Sequence, residues 1–210
     1  HPERMRERGS DDNVLIVGAG PAGLSAAHRL GQRGYRVALA EATAELGGRV
    51  SKESRLPGLA AWARVRDYRI GQIQKMPNVE VYRDSHLTTS DVLEFGFARV
   101  AVATGAVWRR DGVARYNLLP PLIDPAMPLF TPDDLMEGAE PKGHVVVYDD
   151  DHYYMASVLA ELLVKRGNRV TFVTPSVKVS EWSSNTLDQG FIQARLLEAG
   201  VTLRLSRGLR

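Results

Sequence analysis

The sequence predicts an α/β architecture of two βαβ units in tandem, each built on a parallel sheet. Three observations predict it. Val14-Leu15-Ile16-Val17 and Val145-Val146-Val147-Tyr148 are short apolar runs of the kind that form strands buried on both faces. Each is followed by a helical pattern and then by a returning apolar run. The two stretches also align: Val14 falls on Val145, and Arg33-Gly34-Tyr35-Arg36-Val37 on Arg166-Gly167-Asn168-Arg169-Val170, the second unit being two residues longer. Strands and helices alternating in this way pack as parallel sheets.

The elements follow in order. Residues 1–12, HPERMRERGSDD, are polar and charged without an apolar period and read as a linker. After the Val14–Val17 strand comes GAGPAG, then Leu24, Ala27 and Leu30 at helical spacing, with Gly34 as the helix stop. The run 36–41 is the second strand. Residues 55–76 read as a mostly helical stretch carrying Leu56, Leu59, Trp62, Val65, Ile70 and Ile73, interrupted early by Pro57-Gly58. Val79–Tyr82 and 100–104 are further strands. Residues 111–143 hold six prolines and read as a connector of surface loops. In the second unit a helix over 155–166 stops at Gly167, 169–173 returns as a strand, 186–199 is helical up to Gly200, and 201–205 is a last strand.

Composition excludes several classes of function. The chain has 210 residues, 44% of them hydrophobic, and its 27 basic against 25 acidic residues leave a net charge of +2, too little to imply nucleic-acid binding. No apolar run is long enough to span a membrane, and no secretory signal opens the sequence. There is no cysteine, so disulfides, thiolate chemistry and iron–sulfur ligation within this chain are ruled out, and a reducing, cytoplasmic setting is expected.

The first unit carries a phosphate-binding pattern. Gly18, Gly20 and Gly23 fit G-x-G-x-x-G between a strand and a helix. The first allows a tight turn, the second a close backbone approach to a diphosphate, the third close packing of helix on strand. Ala22 lies in the first helical turn, where free N–H groups face the phosphates. Glu41, at the end of the second strand, is placed to accept both ribose hydroxyls of an adenosine and to repel a 2′-phosphate; Ala42 follows it. Gly47-Gly48-Arg49 adds a second glycine turn with a guanidinium within reach of a diphosphate. Ala103-Thr104-Gly105 closes a strand beside the same place. Plain turn glycines with a solvated acid are the competing reading, which has to take four ordered features as coincidence.

In the second unit the aligned positions are Asp149, Asp151 and Tyr154, and Thr174 stands where Glu41 does. Carboxylates at a helix N-terminus repel a diphosphate, and Tyr154 fills the space a close approach needs, so no NAD(P)H is expected there. Asp149-Asp150-Asp151-His152 reads as an acidic helix cap with buried tyrosines rather than a metal site, since consecutive residues in a turn converge poorly on one ion. His28 is placed on the exposed side of the first helix and His86 at a strand end. Trp62 and Trp108 read as packing residues, there being no basic stripe to pair with them. No residue is nominated as catalytic and none as a metal ligand.

Glu41, Gly-Gly-Arg and Ala-Thr-Gly in this order resemble the flavoproteins with two dinucleotide-binding domains, which implies tandem Rossmann-like units. Residues HPERMRERGSDD, LPGLAAWARVRDYR, ATGAVWRRDG and VVVYDDDHYYMA narrow this to a resemblance to the C-terminal half of the histamine, trimethylamine and dimethylamine dehydrogenases, with the histamine-oxidising branch nearest. The resemblance implies three segments: a linker over 1–12, an ADP- or FAD-type domain over 13–143 lacking its return segment, and the first half of a degenerate NAD(P)-type domain over 144–210. Both domains are then expected to be incomplete.

It further implies ADP, or FAD, in the first site, with Leu87 near the adenine on family position alone. Covalent FMN and a 4Fe-4S cluster belong to an N-terminal barrel outside these residues, with an electron-transfer-flavoprotein-like acceptor and a homodimer as partners. The substrate is a small amine, and this fragment is not expected to turn over by itself. Two alternatives stay open: the FAD/NADPH region of a reductase similar to 2,4-dienoyl-CoA reductase, and a nucleotide-stabilised scaffold for dimerisation or docking.

Overall fold

A computed structural model describes residues 5–209. Two units are present, each with its own parallel sheet. The first comprises the residues up to Arg55 together with Leu59–Ala106, the second Val107–Arg210 with Leu56–Gly58.

In the first unit β1 (Val14–Val17) leads into α1 (Pro21–Gln32) and β2 (Val37–Ala40). A short α2 (Arg49–Glu53) and α3 (Ala63–Ile73) precede β3 (Val79–Tyr82), α4 (Thr89–Glu94) and β4 (Arg99–Val102). The sheet order is β3-β2-β1-β4, all parallel, with Val14 opposite both Val37 and Arg99. Strands β1 and β2 are central and read as unbroken apolar runs because both faces are covered. Leu24 and Ala27 of α1 and Ile73 of α3 close one face over Ile16, Val37 and Leu39.

The second unit has α5 (Pro132–Met136), β5 (His144–Tyr148), α6 (Met155–Lys165), β6 (Arg169–Val173), α7 (Gln189–Glu198) and β7 (Thr202–Arg204). Its order, β5-β6-β7, repeats the β1-β2-β3 arrangement. The helix stops expected at Gly34, Gly167 and Gly200 are glycines with φ of 89°, 83° and 79°.

Several expectations need correction. The stretch 55–76 is not one helix: a 3-10 turn at Ala60–Trp62 precedes α3, and Val65 is exposed. Residues 107–143 pack with the second unit rather than the first. Arg110 reaches the Leu129 carbonyl and the Asp134 carboxylate there, and the Trp108 N–H donates to Asp133.

Residues 1–4 of the expected linker lie outside the described residues. The rest of it is bonded to the first unit: the Arg8 N–H donates to the Arg33 carbonyl, the Gly9 N–H to the Tyr35 hydroxyl, and Asp12 receives Arg99. Charge run and solvated tail are therefore not equivalent here, because these charges have partners.

His28 is buried, not exposed, because α3 covers that side of α1 and sets the Tyr68 ring edge-on at 5.8 Å. Burial first, then the Arg29 and Arg69 charges, hold its imidazole below the usual range. His86 lies in the loop after β3 and is exposed. Trp62 and Trp108 are half-buried.

Candidate functional site

The glycine turn between β1 and α1 is built from close backbone contacts. Gly18 has φ of 101°, and a Cβ there would sit 2.5 Å from the Ala103 carbonyl oxygen. A Cβ on Gly23 would lie 1.8 Å from the Gly18 carbonyl oxygen, so no larger residue fits between helix and strand. Gly20 differs: its φ is ordinary at −69°, and a Cβ there would meet nothing within 4 Å. Space in front of the helix, rather than strain, distinguishes this position.

Gly20 is the N-cap of α1, Pro21 holds the first helical position, and neither a side-chain cap nor an acidic residue occupies the first turn. The helix therefore presents its dipole end and the N–H groups of its first turn without a competing carboxylate. Ala22 is exposed and Gly23 buried.

The second glycine turn lies directly against the first. Gly48 has φ of 53°, and a Cβ on it would be 3.0 Å from the Gly20 Cα. The neighbouring Gly47 N–H donates to the Ala19 carbonyl at 2.8 Å. Arg66 braces this turn, bonding Ser51 Oγ at 2.9 Å and the Glu45 carboxylate at 3.0 Å. Arg49 donates to the Ala106 carbonyl at 2.7 Å and lies 3.9 Å from Glu53. It joins the second glycine turn to the end of the Ala103-Thr104-Gly105 segment, where Thr104 and Gly105 are exposed and Ala103 half-buried.

Glu41 is buried and already engaged. Its Oε2 accepts the Ala19 N–H at 2.8 Å, and its Oε1 accepts the Thr43 N–H and hydroxyl, each at 3.1 Å. The carboxylate thus clasps the glycine turn to the end of β2, a role its sequence position does not reveal. An ionised carboxylate has about four acceptor positions, so capacity toward a sugar hydroxyl remains. The Ser85 N–H donates to the Glu41 carbonyl at 2.8 Å, which brings the loop of half-buried Leu87 to this end of the sheet. Ala42 is exposed beside it.

The equivalent end of the second sheet has the same frame and different chemistry. The Asp149 N–H donates to the Val173 carbonyl at 2.8 Å as the Gly18 N–H does to Ala40 at 2.7 Å, and the Thr174 N–H to Arg204 as the Glu41 N–H does to Tyr82. These bonds place Asp149 and Thr174 at the positions the sequence alignment gave them.

The acidic run is not a helix cap. Tyr154 is the N-cap of α6, without a side-chain cap bond, and Asp149 Oδ1 accepts the His152 N–H at 2.9 Å. The buried residues are Asp149, Asp150 and His152, whereas Tyr153 is exposed and Tyr154 half-buried. Residue 152 turns inward with φ of 61°, and the tyrosines are carried outward. Among the described residues, no group of three or more His, Cys, Asp and Glu side chains could hold a metal ion.

Comparison with known proteins bears on both units. Residues 16–79 match the model of the NAD(P)-binding Rossmann-like domain, and residues 130–204 that of the OYE-like second alpha/beta domain. Dimethylamine dehydrogenase from Hyphomicrobium sp. (strain x) is 36% identical over 209 residues, covering 96% of this chain and 28% of its own length. Histamine dehydrogenase from Rhizobium sp. 4-9 superposes with a TM-score of 0.96 at 57% identity, over 99% of this chain and 31% of that one. The 6-hydroxypseudooxynicotine amine oxidase from Pseudomonas geniculata N1 gives a TM-score of 0.93 at 45% identity, over 98% and 31%. The chain spans less than a third of the length of each of these relatives. No helix among the described residues is long and apolar enough to cross a membrane.

Proposed function

The chain belongs to the amine dehydrogenase family, and from that premise we propose that it is the C-terminal nucleotide-binding region of a flavin- and iron–sulfur-dependent amine dehydrogenase, with an ADP moiety held in its first unit. The observation that carries this reading is the pairing of Gly20 and Gly48 before the uncapped N-terminus of α1, with open space where a Gly20 side chain would stand. Backbone N–H groups and a helix dipole together favour a diphosphate there.

The residues fit such a group. The N–H groups of Gly20, Ala22 and Gly23 would face the diphosphate over the turn shaped by Gly18 and Ala19, whose own N–H groups are bonded to the Ala40 carbonyl and to Glu41, and Arg49 would supply positive charge at its edge. Glu41, flanked by Ala42, would take a ribose hydroxyl at its remaining acceptor position and exclude a 2′-phosphate, and the Leu87 loop would line the adenine. Ala103, Thr104 and Gly105 close the phosphate side. ADP bound in this way stabilises the fold by mass action and contributes no redox chemistry; FAD would add an electron-accepting ring.

Oxidation of a small amine would take place in the remainder of the longer protein. Any FMN and 4Fe-4S cluster would sit there too, since this chain has no cysteine to ligate one. An external electron-transfer-flavoprotein-like acceptor, a homodimer and a cytoplasmic setting complete the reading. The reductase alternative needs NADPH in the second unit, where Asp149, Asp151 and Tyr154 replace the three glycines.

Calorimetric titration of nucleotide-stripped protein with ADP, and with its 2′-phosphorylated analogue, tests this reading. ADP should bind at least tenfold more tightly than the analogue. Equal affinities, or binding of neither, would contradict it.

A further inference from the structure

We propose that the Thr43 hydroxyl is a positioning group that sets whether Glu41 grips one ribose hydroxyl of a bound nucleotide or both. This rests on the reading of the first unit as an adenine-nucleotide site and deepens it, by naming the residue that decides how firmly the sugar diol is held.

The hydroxyl has one proton and two acceptors within reach. Thr43 Oγ1 lies 3.1 Å from Glu41 Oε1 and 3.0 Å from the Glu45 carbonyl oxygen. Acceptors at nearly equal distance give a freely rotating hydroxyl two settings. The backbone that carries it is held. The Thr43 N–H donates to Glu41 Oε1 at 3.1 Å, the Asp84 N–H to the Thr43 carbonyl at 3.3 Å, and the Arg83 guanidinium to the Ala44 carbonyl at 3.3 Å. Glu45 is fixed through its carboxylate by Arg55 and Arg66. The hydroxyl therefore turns about one bond while its loop stays in place.

The two settings differ in what they leave open on Glu41. Each oxygen of an ionised carboxylate has about two acceptor positions. Oε2 takes the Ala19 N–H at 2.8 Å and keeps one position free. With the Thr43 hydroxyl on Glu41, both positions of Oε1 are filled, and a sugar hydroxyl is accommodated at Oε2 alone. With the hydroxyl on the Glu45 carbonyl, each carboxylate oxygen has one open position, which suits the two neighbouring hydroxyls of a ribose. The turn exchanges a bond to a charged acceptor for a weaker one to a neutral carbonyl. That difference is subtracted from what the second sugar hydroxyl contributes, so Thr43 tempers the grip on the diol.

The second unit has the same frame with its hydroxyl committed elsewhere. Ser176 follows Thr174 as Thr43 follows Glu41, and the Ser176 N–H donates to Thr174 Oγ1 at 3.2 Å. The Ser176 hydroxyl points away and donates to the Glu181 carboxylate. The local backbone bond is thus kept when the hydroxyl leaves the residue at the strand end.

Calorimetric titration of the nucleotide-stripped full chain with ADP, 2′-deoxy-ADP and 3′-deoxy-ADP tests this. Thr43→Val keeps the side-chain shape at an exposed position and removes the hydroxyl. In that variant the affinity of ADP relative to at least one deoxy analogue should rise about threefold or more over the wild-type ratio, because the competing bond is gone. Thr43→Ser, which keeps the hydroxyl, should give the wild-type ratios, and thermal melts check that both variants are folded. Ratios unchanged or lowered against both analogues in Thr43→Val, or raised equally in Thr43→Ser, would overturn the proposal. A wild-type chain that binds no ADP would sink the nucleotide reading and this inference with it, whereas ADP binding with unmoved ratios would remove the role of Thr43 alone.

Discussion

Gly20 and Gly48 belong to different turns, 28 residues apart, yet a Cβ on Gly48 would sit 3.0 Å from the Gly20 Cα. The second turn forms part of the floor on which the first is laid. Two bonds lock the pair in place, the Gly47 N–H to the Ala19 carbonyl and the Ala19 N–H to Glu41 Oε2, each at 2.8 Å. Any group held at the N-terminus of α1 is therefore positioned by three segments distant in sequence.

Gly20 and Gly23 should separate binding from folding. Gly20→Ala places its methyl in open space at an ordinary φ, so the melting temperature should change little while ADP affinity falls at least tenfold. Gly23→Ala drives its methyl into the Gly18 carbonyl and should cost about 1–3 kcal/mol or more in unfolding free energy. Denaturant melts and ADP titrations on the two variants provide the comparison.

Glu41→Gln should weaken both stability and nucleotide binding. The amide can keep one acceptor toward Ala19 or Thr43 but not both, and a buried N–H left without a partner costs about 1–3 kcal/mol. Loss of the negative charge should also reduce discrimination against a 2′-phosphate. Urea unfolding and paired titrations with ADP and its 2′-phosphorylated analogue measure the two effects.

The buried Asp149 carboxyl gives the fold a pH dependence of defined sign. Its value near 6 lies above the usual carboxylate range, so the stability it confers is complete below about pH 4 and is lost as pH rises through 6. About 3 kcal/mol is at stake if the unfolded chain titrates normally. Asp149→Asn keeps an acceptor for the His152 N–H and should flatten the stability profile between pH 4 and 7, measured by urea melts across that range.

At the start of α5, Thr131 and Asp134 form a reciprocal cap: the Asp134 N–H donates to Thr131 Oγ1 at 3.4 Å and the Thr131 N–H to Asp134 at 2.7 Å. Arg110 then holds the Asp134 carboxyl down to about 2. The stability this carboxylate confers is present above the usual carboxylate range and lost as pH falls through 2. Thr131→Ala should cost about 1 kcal/mol, and hydrogen exchange in α5 should rise.

How far these features were legible depends on what each required. Val14–Val17 was readable residue for residue because a central parallel strand covered on both faces is continuously apolar, whereas Val79–Tyr82 and Arg169–Val173 were readable from their β-branched and aromatic residues despite Glu80, Arg169 and Thr171. The glycine pattern was readable for a similar reason: Gly18 and Gly23 leave no room for a side chain. Helices α4 and α5 are too short to show a period, although the spacing Thr88-x-x-Asp91 and Thr131-x-x-Asp134 carries their capping boxes. The clasp role of Glu41 was hidden because it depends on Ala19, a residue with no polar side chain. His152 was missed because its burial follows from a left-handed backbone that nothing local demands of a histidine.

The most direct test of the account is to denature the purified protein, separate the released small molecules by chromatography and record their absorbance. The account predicts an adenine nucleotide at close to one equivalent per chain, identified as ADP by its retention and by the lack of a flavin band. Release of FAD, with its absorbance in the visible, would contradict the non-redox reading of the first unit and bring the reductase alternative forward.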